Sequence, residues 1–390
     1  MPLVDMKEML RHAYDHGYAV GAFDLLSLDF LQGIMAAAER ARAPVILSLS
    51  ESHFDDFGFE LMMPAVEAAA GRASVPVAIH LNHGASLDSA VRAINRGCNG
   101  VMVDASHQPL RDHIATSREI VAMAHACGVP VEGDLGYVPG GESEDADTLV
   151  AEAQAYVEKT GVDFLAVSIG SVHGDMKDKP TLDWQRLKQI NEALDIPLVI
   201  RGASGLCDDQ FRRLIGNGVA KINDSTVLAD VAGATIRNAA KSCHDSGYTA
   251  LLASIREAIA TEAEHGMRRW GSAGRAAEVL SCCRSWTPVE HLIIYNIEGL
   301  DETGVERMMA EGRRVLGAIP GVREVVTGKA VQEKAKYRYT WLVRFCHPAV
   351  IDSYREHPDH VAFADELFRP VAGKQRISID YQSVETVFSM

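Results

Sequence analysis

The 390-residue chain predicts an α/β fold, a closed (β/α)8 barrel (TIM barrel) followed by a smaller ferredoxin-like α+β domain. Three observations lead there. Short apolar runs bounded by Gly or Pro alternate with longer amphipathic stretches, the sequence form of repeated βα units around a parallel sheet. The runs number eight, enough to close a barrel. Past residue 280 the order changes to strand, helix, strand, strand, helix, strand, a ferredoxin-like unit of about 100 residues.

The eight predicted barrel strands are 18–23, 44–50, 75–82, 100–105, 130–135, 164–170, 197–201 and 219–223. A parallel barrel carries its active site at the C-terminal strand ends, where His83, Asp104, Asp134, His173, Arg201 and Asn223 fall. In the second domain, strands are expected at 289–295, 324–328, 337–345 and 377–381, with a helix near 302–316 and another around Tyr354 to His360. The predicted division is 1–280 for the barrel, 281–288 for a linker and 289–390 for the small domain.

Composition bounds the function. With 47% apolar and 23% charged residues the chain is globular, and a formal charge of −15 argues against nucleic acid or an anionic membrane as a partner. The first residues lack a basic region followed by an apolar core, and no stretch has 18 uninterrupted apolar residues, so a cytoplasmic protein is expected. Seven cysteines form no CxxC pair and read as reduced structural thiols.

Two strand ends carry the chemistry. Ile79-His80-Leu81-Asn82-His83-Gly84 and Ser168-Ile169-Gly170-Ser171-Val172-His173-Gly174 are both apolar runs that stop at His-Gly. Each delivers an imidazole to the rim of a sheet, and two such imidazoles facing one space suit a divalent metal. With Gly21-Ala22-Phe23, Val131-Glu132-Gly133-Asp134-Leu135-Gly136, Gly202-Ala203-Ser204-Gly205, Lys221-Ile222-Asn223 and Trp270-Gly271-Ser272-Ala273-Gly274, these segments resemble the class II, zinc-dependent fructose- and tagatose-bisphosphate aldolases as far as about Ala276. The second domain resembles the stress-responsive α/β barrel (Dabb) domain through its opening Val289-Glu290-His291 strand and His357-Pro358-Asp359-His360. The resemblance implies an aldehyde-lyase that cleaves ketose phosphates through a zinc-stabilised enediolate. For the small domain it implies sheet-to-sheet pairing in a homodimer or higher homo-oligomer.

Two positions break the aldolase pattern. Asn82 stands where the family has its catalytic Asp, and Arg201 where it has the third zinc-ligating His. Asn82 cannot transfer a proton, so the acid step is lost or moved to Glu142, Glu144, Asp175 or a metal-bound water. Glu142 and Glu144 lie in a Gly-rich acidic loop that matches a family loop closing over substrate. His83, His173 and Asp134 would form a two-His, one-carboxylate set for zinc, manganese or iron, with Asp104 another possible carboxylate. Arg201 opposes a nearby divalent ion unless a carboxylate lies between, so two arrangements are open: a bound metal with Arg201 turned toward substrate or a carboxylate, or Arg201 in place of the metal, pairing with Asp134 or itself binding the enolate oxygen or a substrate carboxylate. Phosphate contacts are expected from Gly174, Lys177, Gly202, Ser204, Asn223, Ser225 and Thr226. The residues leave open a degenerate barrel acting as a ligand-binding or assembly component, or an isomerase or epimerase using the same enediolate. His291, His357 and His360 read as structural.

Overall fold

A computed structural model describes residues 2–105, 108–136, 149–170, 182–202, 205–241 and 247–383. Eight parallel strands close into a barrel in sequence order: β1 (Val20–Asp24), β2 (Val45–Ser50), β3 (Val77–Gly84), β4 (Gly100–Val103), β5 (Val131–Leu135), β6 (Phe164–Val167), β7 (Leu198–Ile200) and β8 (Val219–Asp224). Every predicted strand is present. Most barrel-strand residues are buried, as expected of strands covered by helices on one side and filled by side chains on the other. Among the described residues no helix is long and apolar enough to cross a membrane.

The barrel interior is built in layers because residues two apart on a strand share a face. The lower polar layer holds Lys221, whose Nζ lies 2.7 Å from Oε2 of Glu132, both fully buried. His80 Nε2 is 3.6 Å from the same carboxylate oxygen. Burial, then Lys221 and His83, push the His80 pKa well below its ordinary value, so this imidazole is neutral beside the ion pair. Two residues further along their strands come Asn82, Asp134 and Asn223, one layer nearer the mouth. At the opposite end, Val4, Met6, Met9, Leu10 and Ala13 join Ala22, Ile46, Ala78 and Phe164 in an apolar plug. The chain start is tied there by the Leu3 to Val77 and Val4 to Ser285 bridges.

Compact grouping of the backbone places Ser285 with the barrel and Trp286 with the second unit. Within the barrel unit the helix Ala276–Cys282 runs into the predicted linker, and Cys283 is buried in the plug. The six described cysteines are free thiols.

The second unit contains β9 (Val289–Ile297), β10 (Val322–Lys329), β11 (Tyr339–Phe345) and β12 (Ala372–Tyr381) in an antiparallel sheet ordered β10-β11-β9-β12. This is the ferredoxin-like arrangement expected. Tyr295, Trp341 and Val343 are buried on one face. His291 Nδ1 is 2.6 Å from Asp380, which also accepts from Arg355, and His357 caps the helix Pro358–Phe363. Both are held as structural groups.

Candidate active site

The end of β3 is bent on purpose. Between the Leu81 to Val101 and Gly84 to Val103 pairings, Asn82 and His83 together oppose Met102. A bulge of this kind re-aims side chains at a barrel rim. His83 adopts φ 52°, the left-handed region that costs a non-Gly residue energy and persists where the surroundings enforce it. Gly84 is required next to it: a Cβ there would sit 2.7 Å from the Met102 carbonyl oxygen.

This geometry sets His83 Nδ1 2.6 Å from Oδ2 of Asp104, just beyond the end of β4. An Nδ1–H donated to Asp104 leaves the Nε2 lone pair for an electrophile, the usual outer-shell arrangement of a metal-ligating His. Asp134, at the end of β5, is fully buried, and Arg201, just after β7, donates from one terminal nitrogen at 2.5 Å to its Oδ1. The same nitrogen reaches the Gly136 carbonyl oxygen at 3.4 Å. Burial pushes the Asp134 carboxyl up to about 7; Arg201 pulls the other way and Asp104 adds to the rise. Oδ2 of Asp134 and Nε of Arg201 are buried with no partner among the described residues.

Asn82 faces the other side of the mouth. Its Nδ2 donates to Oδ1 of Asp24 at 3.2 Å, and the Ser48 hydroxyl donates to the same oxygen at 2.5 Å. The network spans the C-terminal ends of β1, β2 and β3, and Asp24, Ser48 and Asn82 are all buried. Asp24 was not singled out from the sequence. An Asp that closes an apolar strand reads as a turn residue, and the Asn82 amide that defines its surroundings is far away in sequence.

The segment after β7 carries Gly202 and Gly205 in positive φ, at 64° and 82°. Both polar atoms of the Asn223 amide are buried without a partner among the described residues. Thr226 begins the helix Thr226–Lys241, with Ser225 just before it. The Asp224 carboxylate accepts the Val227 N–H at this helix start, and burial, then Glu262 and Asp24, raise its pKa to about 7. A cavity of about 190 Å³ beside it is lined by Asn223, Asp224, Glu262, Arg269 and Trp270.

The structure therefore brings together His83, Asp134 and Arg201, adds Asp104, and sets Asn82 against Asp24. His173, Gly174, Asp175, Lys177, Glu142, Glu144 and Ser204 lie outside the described residues. His83, Asp104 and Asp134 each offer one ligand atom, all within 4.8 Å of one another. This donor set and the unpartnered Asp134 oxygen fit a divalent ion.

The sequence model described as Fructose-bisphosphate aldolase class-II matches residues 4–275. The chain belongs to the class II fructose-bisphosphate aldolase family. A second model, Stress responsive A/B Barrel Domain, matches residues 289–383. The aldolase portion is 39% identical over 286 residues to a protein of Bacillus subtilis named as a probable fructose-bisphosphate aldolase, covering 71% of this chain and all of that protein. It is 38% identical over 288 residues to a Staphylococcus aureus fructose-bisphosphate aldolase, with the same coverage. Among solved structures, the YdjI aldolase of Escherichia coli K12 superposes with a TM-score of 0.63 at 31% identity, covering 70% of this chain and 99% of that one. A putative fructose-1,6-bisphosphate aldolase of Coccidioides immitis gives 0.66 at 28% identity, covering 71% and 100%.

Proposed function

We propose that this aldolase barrel makes or cleaves a C–C bond beside the carbonyl of a ketose phosphate or related hydroxy-ketone, through an enolate held at the mouth. The convergence of His83, Asp104, Asp134 and Arg201 on one rim carries this reading. Retro-aldol cleavage builds negative charge on a carbonyl oxygen, and fixed positive charge at that point accelerates it. His83 and Asp134, with His173, would hold a divalent metal, zinc first, which supplies that charge when bound, and Asp104 orients the His83 imidazole. Arg201 holds Asp134 in place, and its remaining donors suit an oxyanion or a substrate carboxylate.

In cleavage, the hydroxyl on the departing carbon must lose its proton as the C–C bond breaks and the aldehyde forms. Asn82 cannot accept it. We assign the step to Asp24, whose carboxylate is fixed by the Asn82 amide and the Ser48 hydroxyl. Glu142 is proposed for protonating the enediolate carbon, and Gly174, Lys177, Gly202, Ser204, Asn223, Ser225 and Thr226 for the phosphate. The unpartnered Asn223 amide supports that last assignment.

The small domain is proposed to pair two copies. Leu292, Ile294, Leu342, Val326, Ile377, Ile379 and Tyr381 share the sheet face opposite Trp341, as their pairing register requires, and Val326, Ile377, Ile379 and Tyr381 are 39–51% exposed. An apolar sheet face of this kind marks an interaction surface.

The test is a screen of ketose phosphates, fructose bisphosphate first, with added divalent metals. Release of a triose or other aldehyde supports the lyase. Incorporation of solvent deuterium without fragments assigns an isomerase or epimerase instead, and neither outcome with any substrate or metal assigns a ligand-binding barrel.

A further inference from the structure

At the N-terminal end of the barrel strands, the helix Met6–His16 carries His12 and His16 four residues apart, on one helical face. Their rings stack with centroids 3.9 Å apart. Glu278, from the helix Ala276–Cys282, sets Oε1 3.4 Å from His12 Nε2 and 3.8 Å from His16 Nε2. Arg275 holds the other oxygen, Oε2, at 2.9 Å, so Oε1 is the atom left for the imidazoles.

Hydrogen bonding on the far side of each ring bears on what faces Glu278. His16 Nδ1 is 2.8 Å from the His12 carbonyl oxygen. A carbonyl oxygen only accepts, so Nδ1 carries the hydrogen and the neutral ring presents a lone pair at Nε2. His12 Nδ1 lies 2.9 Å from the Tyr18 hydroxyl, which can accept its hydrogen and leave a second Nε2 lone pair. Two ring lone pairs and a carboxylate oxygen then converge, an arrangement a cation between them satisfies.

We propose that His12, His16 and Glu278 form a second divalent-metal site, of the zinc class, separate from the barrel mouth. The three ligand atoms lie within 4.8 Å of one another. Two ligands each about 2.0 Å from a tetrahedral ion are separated by about 3.3 Å, close to both His to Glu278 distances. The Tyr18 and His12-carbonyl contacts are the outer-shell hydrogen bonds that orient ligating imidazoles. The ion would clip the first helix of the barrel unit to its last, and a clip across so long a loop stabilises by restricting the unfolded chain. Its role is structural.

The test counts zinc bound per chain by titration calorimetry in a His83→Ala background, which removes the ion expected at the mouth. One zinc retained in His83→Ala supports the proposal. So does at least 100-fold weaker binding on adding His16→Ala or Glu278→Gln, and about 10- to 100-fold weaker binding with Tyr18→Phe. Zinc should also raise the melting temperature of the wild-type chain more than that of His16→Ala, whose partly exposed site makes misfolding easy to exclude by circular dichroism. No zinc bound by His83→Ala, or binding unchanged by His16→Ala and Glu278→Gln, overturns it.

Discussion

The amide nitrogen of Asn82 lies 3.2 Å from a carboxylate oxygen of Asp24, across the ends of three adjacent strands. The barrel mouth thus keeps a buried carboxylate at this rim although residue 82 is not acidic. Ser48 donates to the same oxygen, so the group is held by neutral donors. A second carboxylate at position 82 would face Asp24 directly and raise the pKa of one of the pair.

Arg201 and Asp134 form a buried pair on the opposite rim, and breaking such a pair leaves an uncompensated charge. Arg201→Met should cost about 3 to 5 kcal/mol in urea unfolding. Arg201→Met/Asp134→Leu should recover most of that stability while leaving the enzyme inactive. A destabilisation below about 1 kcal/mol for the single variant would show that the pair is not formed.

The pair beneath the site behaves alike but separates structure from chemistry. Lys221→Met strands Glu132 and should destabilise by a similar 3 to 5 kcal/mol, with Lys221→Met/Glu132→Leu substantially restored. The measurement is the chemical-denaturation midpoint of both variants. Equal losses in the single and double variants would contradict the ion pair.

Asp224 gives a pH dependence with a definite sign. Its folded pKa, about 7, lies above the ordinary 3.8, so the folded state binds this proton more tightly than the unfolded state. The associated stability is complete below about pH 4 and lost as pH rises through about 7, a change of at most about 4 kcal/mol. Relative to Asp224→Asn, the wild type should lose stability across that window and then level off. Parallel stability curves for the two proteins from pH 4 to 8 would refute the shift.

The open sheet face of the second domain should respond to charge. Ile379→Lys, at a position 51% exposed, should leave only monomer in light scattering at micromolar concentration, where the proposed pairing makes the wild type a dimer, without unfolding the chain. An unchanged mass would remove this face from the interface.

The strands were legible because Gly and Pro punctuate apolar runs, and a run long enough to cross a barrel has few other readings. β6 and β7 are shorter than expected, ending at Val167 and Ile200, and Arg201, just past the end of β7, turns its side chain to Asp134. Arg201 was marked by its departure from the aldolase pattern, and its pairing with Asp134 was one of the two arrangements foreseen. The Asp24 to Asn82 and Lys221 to Glu132 contacts span 58 and 89 residues, and only closure of the barrel creates them. Their local signal was a charged residue within or ending a buried strand. His12 and His16 show a helical spacing in the sequence, but Glu278 joins them only through packing of the first and last helices of the barrel unit.

The most direct test of the proton assignment is the cleavage rate of a ketose phosphate that the wild-type enzyme turns over, measured for Asp24→Asn, Asn82→Asp and Asp24→Asn/Asn82→Asp. The account predicts a loss of about 100-fold or more in kcat for Asp24→Asn, with KM little changed, because one proton-transfer group is gone. It predicts recovery of at least a tenth of the wild-type rate in the double variant, where the carboxylate and the amide have exchanged places. Wild-type kcat in Asp24→Asn, or a double variant as inactive as the single, would contradict it.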